Sequence, residues 1–103
     1  MSDWHVKYDM LPAHMQEHVR AYVEDGEEPD RFDFLYAVLC NDLVRSFGFA
    51  DPTNLLAMHT WALWLFNECP LQAWGSPAKV EAWVKRGGLN LRNEVSETKL
   101  REF

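Results

Sequence analysis

Apolar stretches in this chain are spaced for helices and separated by short breaks marked by proline, glycine or carboxylates. Met15, Val19, Tyr22 and Val23 fall on one stripe, with Gln16, Glu17, Arg20 and Glu24 facing away. The spacing predicts a first helix from about Pro12 to Asp25. Pro12 suits a first helical turn, where no backbone donor is needed, and Gly26 suits the stop. Phe32, Leu35, Tyr36, Leu39, Leu43 and Phe47 repeat at the same period, and Phe34 and Val38 widen the stripe. A second, heavily buried helix is therefore expected from about Asp30, as its cap, to Phe47, with Gly48 ending it.

Asp51-Pro52 reads as a cap followed by a proline at the first helical position, a strong start for a third helix that runs to Pro70. Within it, Leu55 to Phe66 is apolar on nearly every face, interrupted by His59 and Thr60. Such a helix is normally enclosed by others, and it falls short of the roughly 20 apolar residues a membrane span needs. Ser76-Pro77 repeats the cap-proline signal. A fourth helix follows to about Arg86, with Val80, Trp83 and Val84 inward and Gly87-Gly88 at its end. The expected fold class is all-α: a small bundle of four main helices around a central apolar helix, with a short polar C-terminal extension. Residues 1–103 read as a single helical domain with its core over about 11–88. Residues 1–9 read either as a loose arm or as a segment docking Trp4 and Tyr8. Residues 89–103 read either as a frayed tail or as a short last helix from Ser96.

Charge changes this picture in one respect. The net charge of −6 is uneven: residues 1–51 hold eleven acidic and four basic residues, residues 52–103 five and six. This argues against binding a phosphate backbone, which relies on clustered Lys and Arg. It fits either simple solubility or a basic partner for the N-terminal half. Five Trp, six Phe and three Tyr are more than four short helices must bury, so a homo-oligomer is expected. Cys40 and Cys69 are too few and too far apart for a disulfide framework or a metal site, and read as small buried apolar side chains. The opening Met-Ser-Asp-Trp-His has no basic region followed by an apolar stretch, so a cytoplasmic location is expected.

Several constellations could carry chemistry. His14-Met15-Gln16-Glu17-His18 matches the H-x-x-E-H pattern in which two imidazoles one turn apart grip a metal and the glutamate acts as base. No third protein ligand is identifiable, and the alternative is a solvated helix face. His59 reads as a core histidine or, less simply, as a buried base. Asn41-Asp42 and Asn67-Glu68 sit within or at the end of apolar helices and must find partners. They either tie connections together or floor a polar pocket. Trp74-Gly75-Ser76-Pro77 is a tight helix entry whose free N–H groups, with Lys79, could hold an anion. The candidate binding residues are thus Asn41, Asp42, Asn67, Glu68, Trp74, Ser76 and Lys79. Glu24, Asp25, Glu27, Glu28, Asp30 and Asp33 place six carboxylates within ten residues. They form either a solvated loop or an acidic surface that imitates nucleic-acid phosphates. No catalytic, cofactor or metal motif stands out beyond the histidine pattern, so a non-enzymatic protein without a cofactor is expected.

The landmarks Leu11-Pro12-Ala13-His14-Met15, Tyr22 with Gly26, Phe34 to Leu43, Asn67-Glu68-Cys69-Pro70 and Trp74-Gly75-Ser76-Pro77 with Val80 and Trp83 resemble a group of small uncharacterised helical proteins of bacteriophages and prophages. The resemblance spans roughly residues 11–88 and transfers no catalytic residue. It implies a phage accessory protein in a bacterial host cytoplasm that acts by binding. Counter-defence is the role expected for it, by blocking a host immune protein or by sequestering a small nucleotide signal. The alternatives are a structural or assembly protein of the phage, and a zinc-dependent hydrolase built on His14, Glu17 and His18.

Overall fold

A computed structural model describes residues 6–91. These residues form an all-α bundle: α1 (Ala13–Asp25), α2 (Phe34–Leu39), α3 (Leu43–Phe49), α4 (Pro52–Leu56), α5 (Met58–Asn67), a 3₁₀ turn (Leu71–Ala73) and α6 (Pro77–Arg86). No strand occurs among the described residues, and no helix among them is long and apolar enough to cross a membrane. The expectations for Trp4 and for a helix from Ser96 lie outside the described residues.

The core joins one face from each of four helices: Val19, Tyr22 and Val23 of α1, Phe34, Leu35, Val38 and Leu39 of α2, Trp61, Trp64 and Leu65 of α5, and Val80 and Trp83 of α6. Three buried tryptophans supply much of its volume, and each indole N–H must find an acceptor there. Trp61 Nε1 donates to Asn54 Oδ1 at 3.1 Å. Trp64 Nε1 donates to the Lys7 carbonyl at 2.7 Å. Trp83 Nε1 is shared between the Tyr22 and Val23 carbonyls. The Tyr22 hydroxyl donates to the Ala73 carbonyl at 2.7 Å. These bonds tie the chain before α1, α4, α1 itself and the 3₁₀ turn to the apolar centre. Tyr8 docks as well: its ring lies 6.2 Å from that of Trp64, and its hydroxyl donates to Glu24 Oε2.

The first and fourth predicted helices form nearly as expected. Pro12 stands one residue earlier than expected, at the cap of α1. Ser76 accepts from the Lys79 N–H, Pro77 opens α6, and Gly87 closes it in the left-handed region. The ends of α1 and α6 then meet closely. A Cβ on Gly88 would lie 2.5 Å from the Gly26 nitrogen, so only glycine fits there.

The two middle helices differ from expectation. Residues 30–33 precede α2 as a turn, and Phe32 is exposed. The predicted helix over Asp30–Phe47 breaks at Cys40–Asp42, where Asn41 adopts φ 61° and Asp42 accepts from the Arg45 N–H at 3.1 Å to start α3. A left-handed Asn followed by a capping Asp is one helix end and one helix start, not the interior of a long helix. The third predicted helix is offset at Ala57, whose N–H is shared between the Thr53 and Asn54 carbonyls. It is not an enclosed rod. Trp61, Trp64 and Leu65 face the core, but Leu56 is 89% and Phe66 79% exposed, and Leu55, His59 and Leu63 are also open to solvent. A one-sided helix needs only one stripe covered, and the break at Asp42 turns α3 aside instead of laying it over the other. His59 is accordingly neither a core histidine nor a buried base.

Candidate functional site

The chain leaves α1 through Gly26, in the left-handed region, and the Gly26 and Glu27 N–H groups bond back to the Tyr22 and Ala21 carbonyls. Asp30 then folds the loop again, its carboxylate accepting from the Phe32 N–H and its carbonyl from the Asp33 N–H. Glu27, Glu28, Asp30 and Asp33 thereby form one wall of a cleft of about 520 Å³. His14 and His18, one turn apart on α1, line the same cleft. Asp51 lines it as well. It caps α4 by accepting from the Asn54 N–H at 2.7 Å and pairs with His14 Nε2 at 2.8 Å. Tyr22, Phe34, Leu35 and Phe49 supply an apolar and aromatic lining.

Five carboxylates and two imidazoles line this cleft, and no Lys or Arg among the described residues does. Arg31, the one cation of the 24–33 loop, lines a separate groove beside Val80, Glu81 and Lys85 of α6. Of the five carboxylates only Asp51 has a basic partner within the cleft, His14. The Asn54 N–H bond holds the Asp51 carboxyl below its ordinary range, and the bond to His14 adds to this despite partial desolvation. Asp51 stays ionised through the physiological range.

The six acidic residues expected to act together are divided by the fold. Glu24 and Asp25 turn the other way. Arg20 lies 3.4 Å from Glu24 and 3.8 Å from Asp25, and Asn90 Nδ2 donates to Asp25 Oδ1. Their role is to hold the start of the C-terminal segment against α1. The histidine pattern is divided as well. His14 and His18 face the cleft, but Glu17 pairs with Arg20 on the outside. Among the described residues no group of three or more His, Cys, Asp or Glu is arranged to hold a metal ion.

The candidate binding residues are scattered, and most are occupied by structural bonds. Asp42 and Ser76 cap α3 and α6. Glu68 accepts from the Lys7 N–H. Lys79 gives its N–H to Ser76 and its Nζ to the Leu71 carbonyl at 3.4 Å. Asn67 ends α5 in solvent. Trp74 is half-buried, with its indole N–H enclosed and without a partner among the described residues. Asn41 lines an apolar groove of about 320 Å³ between α3 and α5. They do not converge on one pocket. Cys40 and Cys69 are free and buried, and burial pushes both thiols up from their usual range. Neither is poised as a thiolate nucleophile.

The reading from sequence missed two members of the cleft. Asp51 was visible only as a helix cap, and its pairing with a histidine 37 positions away leaves no local signal. Asn54 had a signal: it stands seven residues, two helical turns, before Trp61, and the two do bond. The fold and the cleft together define a small all-α protein with an anionic surface pocket. No protein-family model matches the chain, and no curated protein or solved structure matches it.

Proposed function

We propose that this chain is a non-catalytic binding protein that presents its acidic cleft to a basic protein surface. The observation that carries this reading is the charge of the cleft: the carboxylates of Glu27, Glu28, Asp30 and Asp33, with Asp51 at the start of α4, gathered around one opening that no Lys or Arg among the described residues lines. A flexible Lys or Arg side chain fits such a site. Its charged head meets carboxylates at the rim, and its stem or guanidinium plane meets Tyr22, Phe34 and Phe49 below. In the phage setting that the resemblance implies, the protein acts as a counter-defence factor. It occupies the basic groove with which a host immune protein would otherwise hold nucleic acid. The Ser76 end of α6 gives less support to nucleotide sequestration, because Lys79 is engaged locally there.

The test is titration of the purified chain with short oligoarginine and oligolysine peptides. We expect binding at low ionic strength that weakens steeply with salt. The double variant Glu27→Lys/Asp33→Lys should lose it, whereas Asp9→Lys/Glu81→Lys, an equal reversal at two exposed sites outside the cleft, should retain most of it. Equal losses in both variants would mean that the peptides sense only net charge, and the cleft would not be the binding site.

A further inference from the structure

We propose that the apolar face shared by α3 and α5 is covered by the same face of a second copy of the chain, so that the protein works as a symmetric dimer with its acidic clefts outside the interface. On α5, Ala62 and Leu63 lie three and four residues after His59, Phe66 lies three and four after Leu63 and Ala62, and all four are exposed. On α3, Leu43, Val44 and Phe47 are exposed, Val44 to 79%, and Ser46 is the one buried residue of that helix. The two helices are joined by the apolar groove, with Leu43 and Phe47 on one side and Met58, His59 and Ala62 on the other. An α-helix as apolar as α3, with so little of it covered, is poorly explained in an isolated subunit.

Two observations select a second copy as the occupant. The first is area. At about 200 Å² for a fully exposed Phe and somewhat less for Leu and Val, the exposed fractions of Leu43, Val44, Phe47, Leu63 and Phe66 leave about 600 Å² per copy. Specific interfaces begin at roughly 600 Å² from each partner. The second is charge. Two chains of net charge −6 repel, and their least repulsive contact is a face without free carboxylates. From Leu43 to Asn67 the ionisable residues are Arg45, Asp51 and His59. Asp51 belongs to the cleft, and the neighbouring Asp42 is engaged with Arg45. A face that meets itself about a twofold axis is closed, which also prevents the patch from driving open-ended association.

Sedimentation equilibrium of the full chain alone, from micromolar to near-millimolar concentration, tests this without reference to any cleft ligand. We expect a monomer–dimer equilibrium. Val44→Glu, Leu63→Glu and Phe66→Glu, all at exposed positions, should each weaken it by at least about tenfold, equivalent to about 1.4 kcal/mol, with unchanged circular dichroism and, at concentrations where the chain is monomeric, unchanged melting. Glu27→Lys/Asp33→Lys should leave the dimer intact. A wild-type chain that stays monomeric throughout, a dimer indifferent to all three face variants, or attachment to anionic lipid vesicles in place of self-association would overturn the proposal.

Discussion

At the scale of single residues, the fold depends on polar groups that serve the apolar centre. Asn54 is a buried polar residue, and its carbonyl oxygen is the acceptor for Trp61 Nε1. Asn54→Ala leaves that indole donor enclosed and unpaired, so we expect a loss of about 1–3 kcal/mol in urea unfolding. A loss within a few tenths would mean that water reaches the indole. Asp51 gives a pH signature. Its pKa is depressed below the ordinary value of 3.8 in the folded state, so its contribution is complete above that value and fades as pH falls through the lower folded one. Asn caps a helix as well as Asp does, so Asp51→Asn removes the charge and keeps the cap. The variant should melt below wild type at neutral pH, and the gap should close as pH falls well below 3.8. Residue identity alone foretold the caps at Asp51 and Ser76, because a cap acts on its own next three residues. It could not foretell His14 meeting Asp51, which depends on how α1 and α4 pack.

At the scale of elements, helices closed by glycine or opened by cap-proline pairs were legible, and helices broken from inside were not. The stretch from Asp30 to Phe47 has unbroken helical periodicity, yet Asn41 and Asp42 divide it. Periodicity records which side chains are apolar, and the same residues fit two short helices set at an angle. The signal was present in Asn41-Asp42, a pair suited to ending one helix and capping the next, but it reads equally as polar residues within a helix. The two caps should differ in consequence. Each is worth about 1 kcal/mol to its own helix when replaced by alanine. Ser76→Ala acts on α6, which carries Trp83 into the core, and should lower global stability by that amount. Asp42→Ala acts on α3, which buries only Ser46. It should speed amide exchange within α3 and leave global unfolding nearly unchanged. A global loss from Asp42→Ala as large as that from Ser76→Ala would show that α3 is held by more than α2 and its own cap.

At the scale of the molecule, the class of fold followed from the chain's apolar content and breakers, but the division into inside and outside did not. Leu56, Leu63 and Phe66 are as apolar as Trp61, Trp64 and Leu65, and only packing decides which stripe is covered. The covered side should protect its thiols. Cys40 and Cys69 should react with maleimide orders of magnitude more slowly in the native protein than in the unfolded chain. Fast native labelling of Cys69 would show that the end of α5 opens readily. The open side and the acidic cleft are then two separate surfaces, one apolar and one anionic. The most direct test of the cleft's role is to map the backbone amide shifts of the labelled chain during oligoarginine titration. We expect the largest changes at His14, His18, residues 27–33 and Asp51. Changes spread evenly over all acidic residues, or centred on α5, would contradict that role.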